Sequence, residues 1–140
     1  MLVYANDAAA GDRHHAAVDL LRRATSVDCV LAAQSLAEFY SVVTRKKMMH
    51  AAFAARSLEQ LAGLYPTCGA DADCVQTGAE ASRKHGLSFW DAVLWATVRK
   101  AGCRILITED YQDGRQLDGV VFLNPFLAKN ASLVDAALPP

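Results

Sequence analysis

Three five-residue apolar runs, set between stretches of helical periodicity, constrain this chain more than any other feature. They are Asp28-Cys29-Val30-Leu31-Ala32, Arg104-Ile105-Leu106-Ile107-Thr108 and Gly119-Val120-Val121-Phe122-Leu123. Each has the length and apolar content of a short buried strand. Around them, Ala16, Ala17, Leu20 and Leu21 predict a helix over 12–25. Ser35 opens a helix over 35–47, with Leu36, Phe39, Tyr40 and Val43 at i, i+3, i+4 and i+7. A further helix over 51–63 closes at Gly63. Leu64-Tyr65-Pro66-Thr67 suits an edge strand, where a proline is tolerated. Asp71 or Asp73 caps a helix ended by Gly86, and Ser88 caps another ended by Gly102. Strands alternating with helices predict an α/β fold, a parallel sheet with helices on both faces. Residues 127–140 read as a tail, and 124–140 holds at most one helical turn.

The chain of 140 residues is long enough for a single domain, read as 1–140. Hydrophobic residues at 53% and charged residues at 21% suit a globular protein and argue against disorder. No apolar run approaches the roughly 20 residues of a membrane span. The start, Met1-Leu2-Val3-Tyr4-Ala5-Asn6-Asp7, lacks the basic and apolar segments of a signal peptide. The expectation is a cytoplasmic protein that does not engage a membrane. A net charge of −1 leaves no whole-chain basic field to advertise nucleic acid, so RNA binding would need a local patch or a metal. Cys29, Cys68, Cys74 and Cys103 form no Cys-x-x-Cys pair and read as reduced core thiols. His14, His15, His50 and His85 lack ligand spacing and read as surface residues.

Three acids carry the chemistry. In α/β folds ligands bind at the C-terminal edge of the strands, where the following helices begin. Glu38 falls in the first turn after the strand ending near Ala33. Asp110 directly follows the strand over 104–108, and Asp91 lies in the first turn of the helix that runs back toward that strand's start. All three therefore map to one crevice. Clustered carboxylates repel one another unless a cation neutralises them, and oxygen ligands suit Mg²⁺ or Mn²⁺. Such a site can orient a water for attack on a phosphodiester. The competing reading is local: Ser35-x-x-Glu38 and Ser88-x-x-Asp91 both match the capping box, and Asp110 fits a turn. Basic clusters at Arg22-Arg23, Arg45-Lys46-Lys47, Arg83-Lys84 and Arg99-Lys100 end helices, where cations complement the dipole. Arg45 and Lys46 are the best candidates for a phosphate contact, because they share a helix with Glu38, although about 10–15 Å further along it.

Several stretches resemble PIN-domain proteins, specifically the VapC-like toxin ribonucleases. They are Gln34-Ser35-Leu36-Ala37-Glu38-Phe39-Tyr40 with Val43-Thr44-Arg45-Lys46, Gly86-Leu87-Ser88-Phe89-Trp90-Asp91-Ala92, Leu106-Ile107-Thr108-Glu109-Asp110-Tyr111-Gln112-Asp113-Gly114 and Asn124-Pro125-Phe126. With Leu2-Val3-Tyr4-Ala5 they follow one another in the family's order along nearly the whole chain. The resemblance implies a three-layer fold and a Mg²⁺- or Mn²⁺-dependent endoribonuclease. Glu38, Asp91 and Asp110 would be the metal ligands and catalytic acids, and Thr108 a hydroxyl near the metal. It also implies an RNA substrate, a cognate antitoxin and a homodimer. Family members begin with a strand ending in Asp-Thr-Asn or Asp-Thr-Ser, followed by a helix like Val-Leu-Val-Tyr-Ala. By that comparison Leu2–Ala5 belongs to the first helix, residues 1–6 are its remnant, and the first (central) strand with its aspartate is missing.

Two alternatives stay open. The chain could be a PIN-like module that binds an antitoxin or RNA without cutting. It could also be a small α/β protein whose acids only cap helices.

Overall fold

The computed structural model describes residues Met1–Pro140. It is mostly helical, with seven α-helices and two small sheets. Contacts divide it into two compact units, Met1–Thr67 with Ser132–Pro140, and Cys68–Ala131.

The first unit is built on helices. Leu2, Val3, Tyr4 and Ala5 form α1 (Leu2–Ala5), a helical turn rather than the strand their apolar character alone suggests. Next come α2 (Asp12–Ala24), β1 (Leu31–Ala32), α3 (Ala33–Arg45) and α4 (Ala51–Leu64). Phe39 and Val43, one turn apart on α3, are buried with Leu2 and Ala54, and Leu21, Leu36, Leu58 and Leu61 pack around them. Each buried Phe or Val contributes about 1.5–3 kcal/mol. Tyr40, expected on the same stripe, instead faces solvent. The apolar run over 28–32 yields a strand of only two residues, because α3 starts at Ala33, directly after it. The Leu31 N–H donates to the Pro66 carbonyl at 2.9 Å, and β1 pairs with β2 (Thr67–Cys68).

The C-terminal segment is more ordered than its sequence suggests. It forms a 3₁₀ turn over Ala128–Asn130 and then α7 (Ala131–Ala137), with Val134 and Leu138 buried. Asp135 pairs with Arg23 of α2 at 2.6 Å, and the same guanidinium is held by Asp19 at 2.6 Å. Arg23 also donates to the Leu138 carbonyl at 3.3 Å.

The second unit sets two helices beside a three-stranded sheet. Asp71 caps α5 (Ala72–His85) by accepting from the Cys74 N–H at 3.0 Å. Gly86, in the left-handed conformation with φ 68°, stops α5, and Ser88 caps α6 (Phe89–Lys100). The two helices approach so closely at Gly78 that a Cβ there would lie 2.8 Å from the Val93 nitrogen. In α6, every residue from Ala92 to Val98 is buried. The sheet runs β3 (Ile105–Ile107), β5 (Val120–Leu123), β4 (Gln116–Leu117), with β3 parallel and β4 antiparallel to β5. It is thus mixed, where the strand–helix alternation predicts a parallel sheet. The sequence reason is the Asp118-Gly119 pair, whose positive φ values of 43° and 82° close a two-residue hairpin. Trp95 crosses from α6 to this hairpin, its indole N–H donating to the Leu117 carbonyl at 3.1 Å. No cysteine is in a disulfide; Cys74 alone is buried, so Cys29, Cys68 and Cys103, each half-buried, are not the fully buried core thiols expected.

Candidate functional site

Asp110 stands in the loop that leaves β3. The loop is shaped by two local devices. The Thr108 N–H donates to the Leu123 carbonyl at 3.0 Å, which extends the β3–β5 ladder by one residue. The Thr108 hydroxyl then accepts from the Asp110 N–H at 3.2 Å, a side-chain turn that fixes where the acid projects. Thr108, expected near the site, therefore acts on Asp110 directly. The residue as a whole is exposed, but its carboxyl is crowded by protein atoms. That desolvation, followed by the like charges of Glu109 and Asp91, raises its pKa above the ordinary aspartate value.

Asp91 comes from the start of α6. Its backbone N–H donates to the Ser88 hydroxyl oxygen at 3.3 Å, and that hydroxyl donates to the Asp91 carboxylate at 2.5 Å. The capping reading of Ser88-x-x-Asp91 is thus realised, and it orients the carboxylate. Asp91 and Asp110, distant in sequence, come within electrostatic reach of each other inside the second unit.

Glu38 lies on α3 of the first unit, exposed, and accepts from the Gln34 side-chain amide at 2.9 Å. Because α3 begins at Ala33 with Ala32 as its uncapped N-terminus, Ser35 is inside the helix. The expected Ser35–Glu38 capping box does not form, and Glu38 sits in the second turn rather than the first. Arg45 is the last residue of α3 and Lys46 its C-cap; both are exposed. No group of three or more His, Cys, Asp and Glu side chains converges tightly enough to hold a metal ion. Of the three acids, Asp91 and Asp110 come within electrostatic reach of each other in the second unit, and Glu38 belongs to the first.

One functional support escaped the sequence reading. Asp113 accepts from the Asn124 N–H at 2.9 Å and the Asn130 amide at 2.6 Å, and pairs with Lys129 at 2.7 Å. Asn130, itself buried, also donates to the Asn124 carbonyl at 2.8 Å. These bonds tie the loop carrying Asp110 to the turn after β5. Lys129 and these amide hydrogens hold the Asp113 carboxyl below the ordinary range. The signal lay in Asp113 and Asn124, each inside a stretch already singled out.

The fold and its acids define the class. Residues 2–117 match the family model of the PIN domain, and the chain belongs to that family. PIN domains are generally metal-dependent nucleases, typically bind divalent ions, and their presence suggests RNA binding. No curated protein matches the chain. No helix is long and apolar enough to cross a membrane.

Proposed function

We propose that this PIN domain is a Mg²⁺- or Mn²⁺-dependent endoribonuclease of the VapC-like toxin type, acting in the cytoplasm as one domain over 1–140. The observation that carries this reading is the electrostatic proximity of two carboxylates, Asp91 at the start of α6 and Asp110 in the loop after β3. Like-charged carboxylates held near each other repel, and carboxylate oxygens are the donors that hard divalent cations take. Asp91 and Asp110 would offer oxygen donors to such an ion, and the family resemblance adds Glu38 as a third ligand. A bound ion supplies charge neutralisation and a more acidic water. The chain's own part is positioning. Ser88 holds the Asp91 carboxylate, Thr108 holds the Asp110 backbone N–H, and the Asp113–Asn130 bond ties the loop to the turn after β5. Arg45 and Lys46 would contact RNA phosphates. A cognate antitoxin and a second copy of the chain are the partners this reading adds.

The Ser88–Asp91 bond also favours a second reading, in which Asp91 only caps α6 and the domain binds RNA without cutting it. RNA cleavage separates the two. Wild-type chain should cut single-stranded RNA with Mn²⁺ and not with EDTA, and Asp110→Asn should lower the rate at least a hundredfold. Binding without cleavage in Mn²⁺ or Mg²⁺ would favour the second reading.

A further inference from the structure

Helices α5 and α6 lie antiparallel, and two observations fix their register. Along the pair, Gly78 meets the backbone of Val93. At the open end of the hairpin, the Lys100 ammonium donates to Asp71 at 2.8 Å and to Asp73 at 3.0 Å. Three residues beyond each member of the Asp71–Lys100 pair stands a cysteine, Cys68 ahead of α5 and Cys103 after α6. The register that sets Asp71 against Lys100 thus carries the two cysteines to the same end. Gly102, with φ 83°, turns the chain there, and the Cys103 N–H donates back to the Val98 carbonyl at 3.0 Å, so Cys103 is held against the last turn of α6. Both cysteines are half-buried and both belong to the second unit. Burial raises the Cys68 thiol above its ordinary pKa, and the neighbouring Cys103 and Cys74 thiols push it the same way. Cys74 is only 2% exposed, beyond the reach of a dissolved reagent. The thiols lie at the opposite end of α6 from Asp91, and the acidic site does not use them.

We propose that Cys68 and Cys103 are a redox-modification site, a dithiol that closes into a disulfide when it meets a small-molecule disulfide such as oxidised glutathione. One cysteine attacks a sulfur of the reagent as thiolate, and the reagent S–S bond breaks to release one glutathione thiol. The other cysteine then attacks the protein sulfur of that mixed disulfide and releases the second glutathione thiol. The two cysteine protons end on the two released thiols; the pair is oxidised by two electrons and the reagent is reduced by two. The closing step is intramolecular, and the packing of α5 on α6 supplies its orientation in advance. Such a pair stays open against a reduced glutathione pool and closes as the pool is oxidised. The bridge would tie together the two ends of the α5–α6 hairpin, and it would stabilise the unit that carries Asp91 and Asp110 by restricting its unfolded chain.

The test needs neither RNA nor metal. The full-length chain is reduced, freed of reductant and incubated with oxidised glutathione. Its thiols are then counted after denaturation, and its peptides are mapped by mass spectrometry without reduction. The count should fall from four to two, with Cys68 and Cys103 in one linked peptide. The melting temperature should rise, and dithiothreitol should reverse both changes. Cys68→Ser and Cys103→Ser should each abolish the rise, whereas Cys29→Ser and Cys74→Ser should keep it. A disulfide forms only when the two Cα atoms are within about 7 Å, so the linked peptide from the wild type decides the placement even if a variant folds poorly. Four thiols still titratable, a stable mixed disulfide with glutathione, a bridge that uses Cys29 or Cys74, or a bridge between two chains would each overturn the proposal.

Discussion

Ser35-x-x-Glu38 and Ser88-x-x-Asp91 are the same pattern in sequence and different objects in the structure. Before Ser88, Gly86 adopts a left-handed conformation that ends α5, so Ser88 starts a new helix and its hydroxyl meets both the N–H and the carboxylate of Asp91. Before Ser35, Ala33 and Gln34 are good helix formers and nothing stops them, so α3 begins two residues early. Ser35 is left in the helix, and Glu38 turns to Gln34 instead. A capping box is thus decided by what precedes the serine. One acid is locked in place by its cap, whereas the other is held by a single exposed hydrogen bond.

The largest effect that would break this contrast lies at Gly78. Ala there forces a Cβ to within 2.8 Å of Val93 backbone and side chain, where α6 has no room to retreat. Overpacking should outweigh the helix-propensity gain and cost about 1–3 kcal/mol in denaturant unfolding. An unchanged midpoint would mean that α6 is not fixed by α5.

Next is Asp113. Replacing it with Ala leaves the buried Asn130 amide and the Asn124 N–H without their acceptor, so the melting temperature should fall clearly. The pH dependence has a definite sign. The folded pKa of Asp113 is depressed, so its contribution is present above the unfolded value near 3.9 and is lost as pH falls through the folded value. Asp110, three residues away, is displaced upward, so its contribution is present below about pH 3.9 and lost as pH rises through its folded pKa. Melting curves of Asp113→Ala and Asp110→Asn from pH 3 to 7 should therefore diverge, Asp113→Ala losing most at pH 7 and Asp110→Asn matching or exceeding the wild type there. Parallel curves would contradict the different roles given to the two acids.

The caps come last. Ser88→Ala should cost about 1 kcal/mol. Ser35→Ala should stay within about 0.5 kcal/mol and lean toward stabilising, since alanine is the better helix former inside a helix. Equal losses at both serines would erase the distinction.

Local signals carried much of the fold in the sequence. Gly86 and Ser88 mark a real helix boundary, and the Phe39–Val43 spacing marks the buried face of α3. Asp118-Gly119 was equally local, and reading it as a turn would have revealed the antiparallel β4. Other features were out of reach because they depend on contacts between distant residues. Arg23 and Asp135 meet across 112 positions, and nothing in the segment around Asp135 announces that it becomes α7. The early start of α3 follows from Ala33 continuing straight from β1, where the serine pattern pointed two residues later. For the site, Asp91 and Asp110 were legible as ends of elements that lead to one strand edge. Their mutual repulsion is a property of side-chain placement, which spacing does not supply.

The central claim, that these carboxylates await a divalent cation, is tested most directly by thermal melting during Mn²⁺ titration of the wild type, Asp91→Asn, Asp110→Asn and Glu38→Gln. A ion that binds only the folded chain stabilises it by about 2.7 kcal/mol at a hundred times its Kd. The wild type should therefore melt at rising temperature as Mn²⁺ increases, and the Asp91 and Asp110 variants should not respond. Glu38→Gln should respond only partly if Glu38 is a ligand, and fully if it is not. A wild-type melting temperature that Mn²⁺ leaves unmoved, or a gain that Asp91→Asn and Asp110→Asn share in full, would contradict the account.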